Sequence, residues 1–157
     1  PAGFAAGAAA LAVDEELLVL EGSLAAGGED YGEFGYAHLP AGYSAGEWRS
    51  KAGAVALAFY SGRPAAAGAP LEFDPRRLVR KLDAFAVPYT GNFHPQFPPG
   101  AGRKILFQDP VTLDTTWILG TLPLRWAERA EVHPTVEEMY LLAGEVFPTH
   151  IRGKGAG

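Results

Sequence analysis

The sequence has no cysteine. That absence excludes a disulfide framework and any thiolate metal site, and it fits a cytoplasmic protein. Basic residues are scarce. Thirteen Lys and Arg stand against 18 Asp and Glu, which leaves a net charge of −5. Such a surface repels phosphate backbones and anionic headgroups, so neither nucleic acid nor a membrane is an expected partner. Long apolar runs are missing too. The longest, residues 4–13 and 52–60, fall well below the roughly 20 residues that a membrane-spanning helix needs. The first of them has the look of a secretory h-region, but no basic residue precedes it. An Ala-rich core strand is the better reading. No glycine loop that could cradle phosphate, no serine nucleophile elbow and no zinc-ribbon spacing is present. What the chain does have is apolar material: 48% hydrophobic residues, enough for a sizeable globular core.

One motif occurs twice. The first copy reads Val13-Asp14-Glu15-Glu16-Leu17-Leu18-Val19-Leu20-Glu21-Gly22, and the second Val136-Glu137-Glu138-Met139-Tyr140-Leu141-Leu142-Ala143-Gly144. Glu15 and Glu137 are 122 positions apart. The same spacing relates Gly22 to Gly144, Pro1 to Pro123, Phe4 to Trp126 and Ala5 to Ala127. Matches at one fixed spacing indicate internal duplication. The period is too long for a solenoid repeat and close to a whole domain. A chain of 157 residues cannot hold two such domains complete. The expected organisation is therefore residues 1–72 as part of a first, degenerate domain, 73–102 as a linker helix and Pro-rich loop, and 103–157 as the first part of a second domain. Flanking segments outside this sequence are expected, in preference to two half-domains merging into one.

Short apolar or β-branched runs at 16–20, 35–39, 54–60, 104–108, 115–122 and 138–142 read as strands, with Gly, Pro and Asp between them. One helix is expected over 75–83. Asp74 can cap it, Pro75 suits its first position, and Leu78, Leu82 and Phe85 share a face. A Pro-rich loop follows, with Pro88, Pro95, Pro98 and Pro99. Many short strands with glycine-rich turns predict an all-β sandwich or barrel.

The spacing of the repeated motif resembles the cupin superfamily. The first cupin motif carries His-x-His, then Glu a few residues on, then Gly after six more. Here Glu131-Val132-His133 fills the His-x-His slot, Glu137 follows, and Gly144 closes the pattern. In the first copy the slot holds Ala9-Ala10-Leu11, and Glu15 alone remains. The second cupin motif contains Pro-x-Gly, two residues, then His. Pro40-Ala41-Gly42-Tyr43-Ser44-Ala45 matches that frame with Ala45 in the His slot. The chain is thus similar to a two-domain branch of cupins with a degenerate first copy. The resemblance implies duplicated jelly-roll barrels with one short linker helix, and a mononuclear site in the second copy. Its ligands would be His133, Glu137 and Glu131, and the metal one divalent ion, Fe, Mn, Ni or Zn.

The chemistry agrees. Residues of equal parity on a strand face one way, so Glu131 and His133 share a face. Imidazole with carboxylate suits borderline divalent ions. Tyr140 and Trp126 are candidates for the substrate pocket. Each residue also has a structural reading: His133 as a turn residue before Pro134, Glu137 and Glu138 as a solvated strand start, Glu131 as a surface carboxylate. Glu138 or His150 could replace a ligand. His38, His94, Trp117, Arg125 and the acidic run at Asp14 read as structural. Two functions stay open: a metal-dependent enzyme of dioxygenase or isomerase type acting on a small organic substrate, or a non-enzymatic cupin that binds a small molecule or senses metal. The same barrel serves both. A homodimer through outer strands is the expected assembly.

Overall fold

The computed structural model describes residues 1–7, 9–91, 100–122 and 137–145. Among the described residues ten strands run β1 (Phe4–Ala6), β2 (Glu15–Gly22), β3 (Leu24–Ala26), β4 (Glu29–Tyr31), β5 (Gly35–Leu39), β6 (Trp48–Ser50), β7 (Ala54–Tyr60), β8 (Val79–Asp83), β9 (Ala101–Gln108) and β10 (Thr115–Thr121). Every strand pairing is antiparallel. The strands form a central sheet of order β7-β2-β5-β8, a second sheet of order β1-β6-β3-β4, and the β9–β10 hairpin.

The central sheet is covered on both faces, and β2 shows why. Its core Leu17-Leu18-Val19-Leu20 does not alternate with polar residues. A strand buried on both sides reads as a continuous apolar run. Leu18 packs with Tyr36, Ala84, Leu106 and Phe107, beneath the hairpin. Val19 points the other way, into a cluster with Tyr31, Ala37 and Leu39, beneath the second sheet. Full burial of a side chain of this size contributes about 1.5–3 kcal/mol. Gly22 ends β2 in the left-handed region at φ 74°, where a side chain would meet the Gly53 carbonyl oxygen at 2.2 Å.

Three expectations need correction. The helix over 75–83 is a single 3-10 turn, Pro75–Arg77, followed by strand β8. The start signals were sound, since the Asp74 side chain accepts from the Arg76 amide. Beyond the turn, pairing with β5 takes over: Val79 sits opposite His38 and Leu82 opposite Tyr36. Leu78, Leu82 and Phe85 fit a helix spacing, but tertiary pairing overrides a weak local preference. Next, the described residues of 4–13 give the three-residue β1 and an isolated bridge from Leu11 to Ala66, and Phe4 is exposed. Finally, 138–142 form no strand. The equivalent β2 is paired on both sides by β5 and β7. No strand ladder among the described residues includes 137–145, and Met139 and Tyr140 are 75% and 53% exposed. A strand without neighbours does not hold its backbone in a ladder.

Candidate functional site

The pocket of interest lies on the second-sheet face of β2, at the end where the strand begins. Ala9, Leu11, Val13, Glu15, Leu39, Pro40, Tyr43, Ala45, Gly46 and Trp48 line it. Its volume is about 10 Å³, room for one water. Two loops are tied together to make it. The Gly42 amide donates to the Leu11 carbonyl at 2.9 Å, and the Ala41 amide donates to the Asp14 carboxylate at 2.8 Å. Gly42 takes φ 87° there, and a side chain on it would strike the Leu71 carbonyl oxygen at 2.6 Å. The turn at Pro40-Ala41-Gly42 thereby delivers Tyr43 and Ala45 to the same space as Leu11 and Glu15.

The lining side chains are apolar apart from Glu15 and the tips of Tyr43 and Trp48, but the surface open to the pocket is mainly polar. Burial pushes the Glu15 carboxyl above its ordinary pKa, and a hydrogen bond from the Tyr60 hydroxyl at 3.2 Å opposes that. Burial raises the Tyr60 phenol in turn, helped by the Glu15 charge. The four positions matched to ligand slots in the sequence, Ala9, Leu11, Glu15 and Ala45, thus line one pocket. Three of them offer no donor. These residues do not fit a metal, and no chemistry through one is assigned to this pocket. More broadly, no group of three or more His, Asp or Glu among the described residues could hold an ion.

A second polar cluster lies on the opposite face of the central sheet, under the hairpin. Glu16 accepts from the Tyr36 hydroxyl at 2.6 Å and from Thr116 at 3.0 Å. His38, directly across from Glu16 in the pairing, is 2% exposed. It stacks on Phe107 with ring centroids 3.6 Å apart, and its Nδ1 donates to the Arg77 carbonyl at 2.6 Å. Burial lowers the His38 pKa, against the pull of Glu16. Arg77 then bridges Asp14 at 2.7 Å and Asp109 at 2.6 Å. His38 and Asp14, read as structural in the sequence, both make contacts that tie separate elements together. The cluster joins β2 and β5 to the hairpin.

Most of the residues expected to form the second-copy site fall outside the described structure. Glu131, His133 and Trp126 lie outside the described residues, as do His94, His150 and Arg125. Glu137 and Tyr140 lie on the surface in the segment 137–145. Trp117 is half-buried, with the Arg103 guanidinium 4.4 Å above its ring. Sequence reasoning did not single out Glu16, Tyr36 or Thr116. The one available signal was parity: Glu16 faces away from Glu15, so two adjacent acids had to serve different faces.

These features define an all-β protein of antiparallel sheets with almost no helix, an architecture consistent with a cupin-like fold. No helix among the described residues is long and apolar enough to cross a membrane. Comparison with solved structures finds a similar crystal structure, that of a putative dioxygenase from Nostoc punctiforme. The TM-score is 0.66 at 25% sequence identity, over 78% of this chain and 45% of the other. The chain spans less than half the length of that protein. No protein-family model matches the chain, and no curated protein matches it.

Proposed function

We propose that this chain belongs to a duplicated cupin in which the first copy is a metal-free scaffold and the second carries a mononuclear metal site, acting as an oxygenase on a small organic substrate. The observation that carries this reading is the convergence of Ala9, Leu11, Glu15 and Ala45 on one pocket. Those positions were matched from sequence spacing alone, and the fold puts all four in one place. That convergence supports reading the spacing as a cupin frame in the first copy. If the 122-residue repeat holds, the same frame would bring Glu131, His133 and Glu137 to the places of Ala9, Leu11 and Glu15. The similar structure is that of a putative dioxygenase, which supports the choice of chemistry.

The donor set fits a borderline divalent ion, Fe, Mn, Ni or Zn, because one imidazole and two carboxylates supply hard and intermediate ligands. When bound, such an ion supplies Lewis-acid or oxygen-activating chemistry. The chain's own part is to supply His133, Glu137 and Glu131 as donors and to orient the substrate against Tyr140 or Trp126.

Metal analysis of the purified protein separates the copies. His133→Ala should lower bound metal several-fold. Leu11→Ala should leave metal content unchanged and cost some stability, less than the roughly 2–5 kcal/mol of a fully buried leucine, because Leu11 is half-buried. Wild-type metal content in both variants would end the asymmetric reading. Calorimetry with small dicarbonyls and hydroxy acids then distinguishes enzyme from binding protein: affinity equal with and without metal would favour non-enzymatic binding.

A further inference from the structure

We propose that β7 is a self-pairing edge, and that two copies of this chain join through it into one continuous sheet about a two-fold axis at Leu57. The inference is independent of the metal reading. β7 is an outer strand of the central sheet and, among the described residues, pairs with β2 alone. An outer strand presents a row of unpaired backbone groups, and proteins ordinarily guard it with charge, proline or a bulge. β8, the opposite edge of the same sheet, is guarded in that way, carrying Arg80, Lys81 and Asp83 in five residues. β7 is not. Its seven residues, Ala54-Val55-Ala56-Leu57-Ala58-Phe59-Tyr60, include no charge, no proline and no glycine. Val55 is 51% exposed and Tyr60 39% exposed.

The sequence of β7 says what fits it. Pair the strand antiparallel with itself about Leu57. Leu57 then faces Leu57, Val55 faces Phe59, Ala56 faces Ala58, and Ala54 faces Tyr60. No charge is buried, large residues meet on one face, and mostly alanine lines the other. Aromatic and β-branched residues opposite one another are favourable cross-strand pairs. The arrangement also closes. Both outer edges of the joined sheet would be β8, whose charges discourage a third strand. A peptide partner or a heterologous contact has no such stop. β10 is also an uncharged edge, Thr115 to Thr121, but pairing β7 with β10 would propagate without closing.

The absence of cysteine makes the test direct. In an antiparallel pair, Cα atoms directly opposite lie about 4.5–5.5 Å apart, within disulfide range. Leu57→Cys should therefore cross-link to itself on mild oxidation, whereas Val55→Cys alone should not. A mixture of Val55→Cys and Phe59→Cys chains should give the mixed dimer. Light scattering of the unmodified full chain should report twice its 16.6 kDa mass. Val55→Lys, at an exposed site, should report a monomer with an unchanged circular dichroism spectrum. A monomeric wild-type chain overturns the proposal. So does a dimer that survives Val55→Lys, a cross-link out of register, or open-ended assembly, which would point to β10.

Discussion

The adjacent acids Asp14, Glu15 and Glu16 show how finely position decides chemistry. Asp14 pins the Pro40-Ala41-Gly42 turn and meets Arg77. Glu15 points into the small pocket, and Glu16 points under the hairpin to Tyr36 and Thr116. The sequence showed an acidic cluster of structural character but not its division among three tasks, which depends on strand pairing far along the chain. The buried partners make stability fall with acid, by two routes. His38 has its pKa lowered from 6.5, first by burial. Below that pH the unfolded chain takes up a proton that the folded chain resists, so stability declines as pH drops. Asp109 is held down at about 2, chiefly by the amides of Thr112 and Val111 and also by Arg77. Its contribution is present above its ordinary value of 3.8 and is lost as pH falls toward about 2. Urea titrations from neutral to acidic pH should show two successive losses. His38→Gln should flatten the first and leave the second. A profile that is level between neutral pH and the carboxylate range would refute the role given to His38.

At the scale of elements, β2, β5 and β7 of the central sheet and both hairpin strands were readable, the runs 104–108 and 115–122 falling on β9 and β10, and the second sheet was not. The runs 35–39 and 54–60 coincide with β5 and β7. β3, β4 and β6 have three residues each, too few to show a period of two against their neighbours. β8 was hidden for another reason. Its polar residues and a true capping signal at Asp74 imitate a helix, and only the free edge of β5 turns the segment into a strand. The glycines tell the same story in reverse. Gly22 and Gly144, matched by the repeat, both take left-handed φ, 74° and 90°. They differ in surroundings, because a side chain at Gly22 meets Gly53 at 2.2 Å while one at Gly144 meets nothing. Left-handed backbone alone costs a side chain roughly 1–2 kcal/mol. Gly22→Ala should therefore lower the melting temperature by several degrees more than Gly144→Ala. Equal shifts in thermal denaturation would show that the Gly53 contact relaxes at little cost.

At the scale of the whole molecule, the proposed repeat rests on sequence matches at one spacing, a glycine pair and a proline pair among them. Glu131 and His133, the donors it implies in the second copy, lie outside the described residues. The first copy can be made to answer for both. If its pocket is the frame of a metal site stripped of donors, restoring donors should restore binding. Ala9→His, Leu11→His and Ala45→His together would place three imidazoles beside Glu15, whose carboxyl already faces the pocket. Exchanging alanine and leucine for larger polar residues will cost stability, because the pocket has room for about one water. The bound ion repays that only if all donors converge, so the effect must be cooperative. The triple variant should take up one more equivalent of Zn(II) or Mn(II) than wild type and melt higher with metal than without. Each single variant should gain neither. Adding Glu15→Gln should abolish the gain, because the carboxylate supplies the charge that three neutral imidazoles lack. Uptake by the triple variant that is indifferent to Glu15→Gln would mean surface binding by the new histidines. A folded triple variant that takes up no metal would mean that the four positions share a pocket without sharing a coordination geometry.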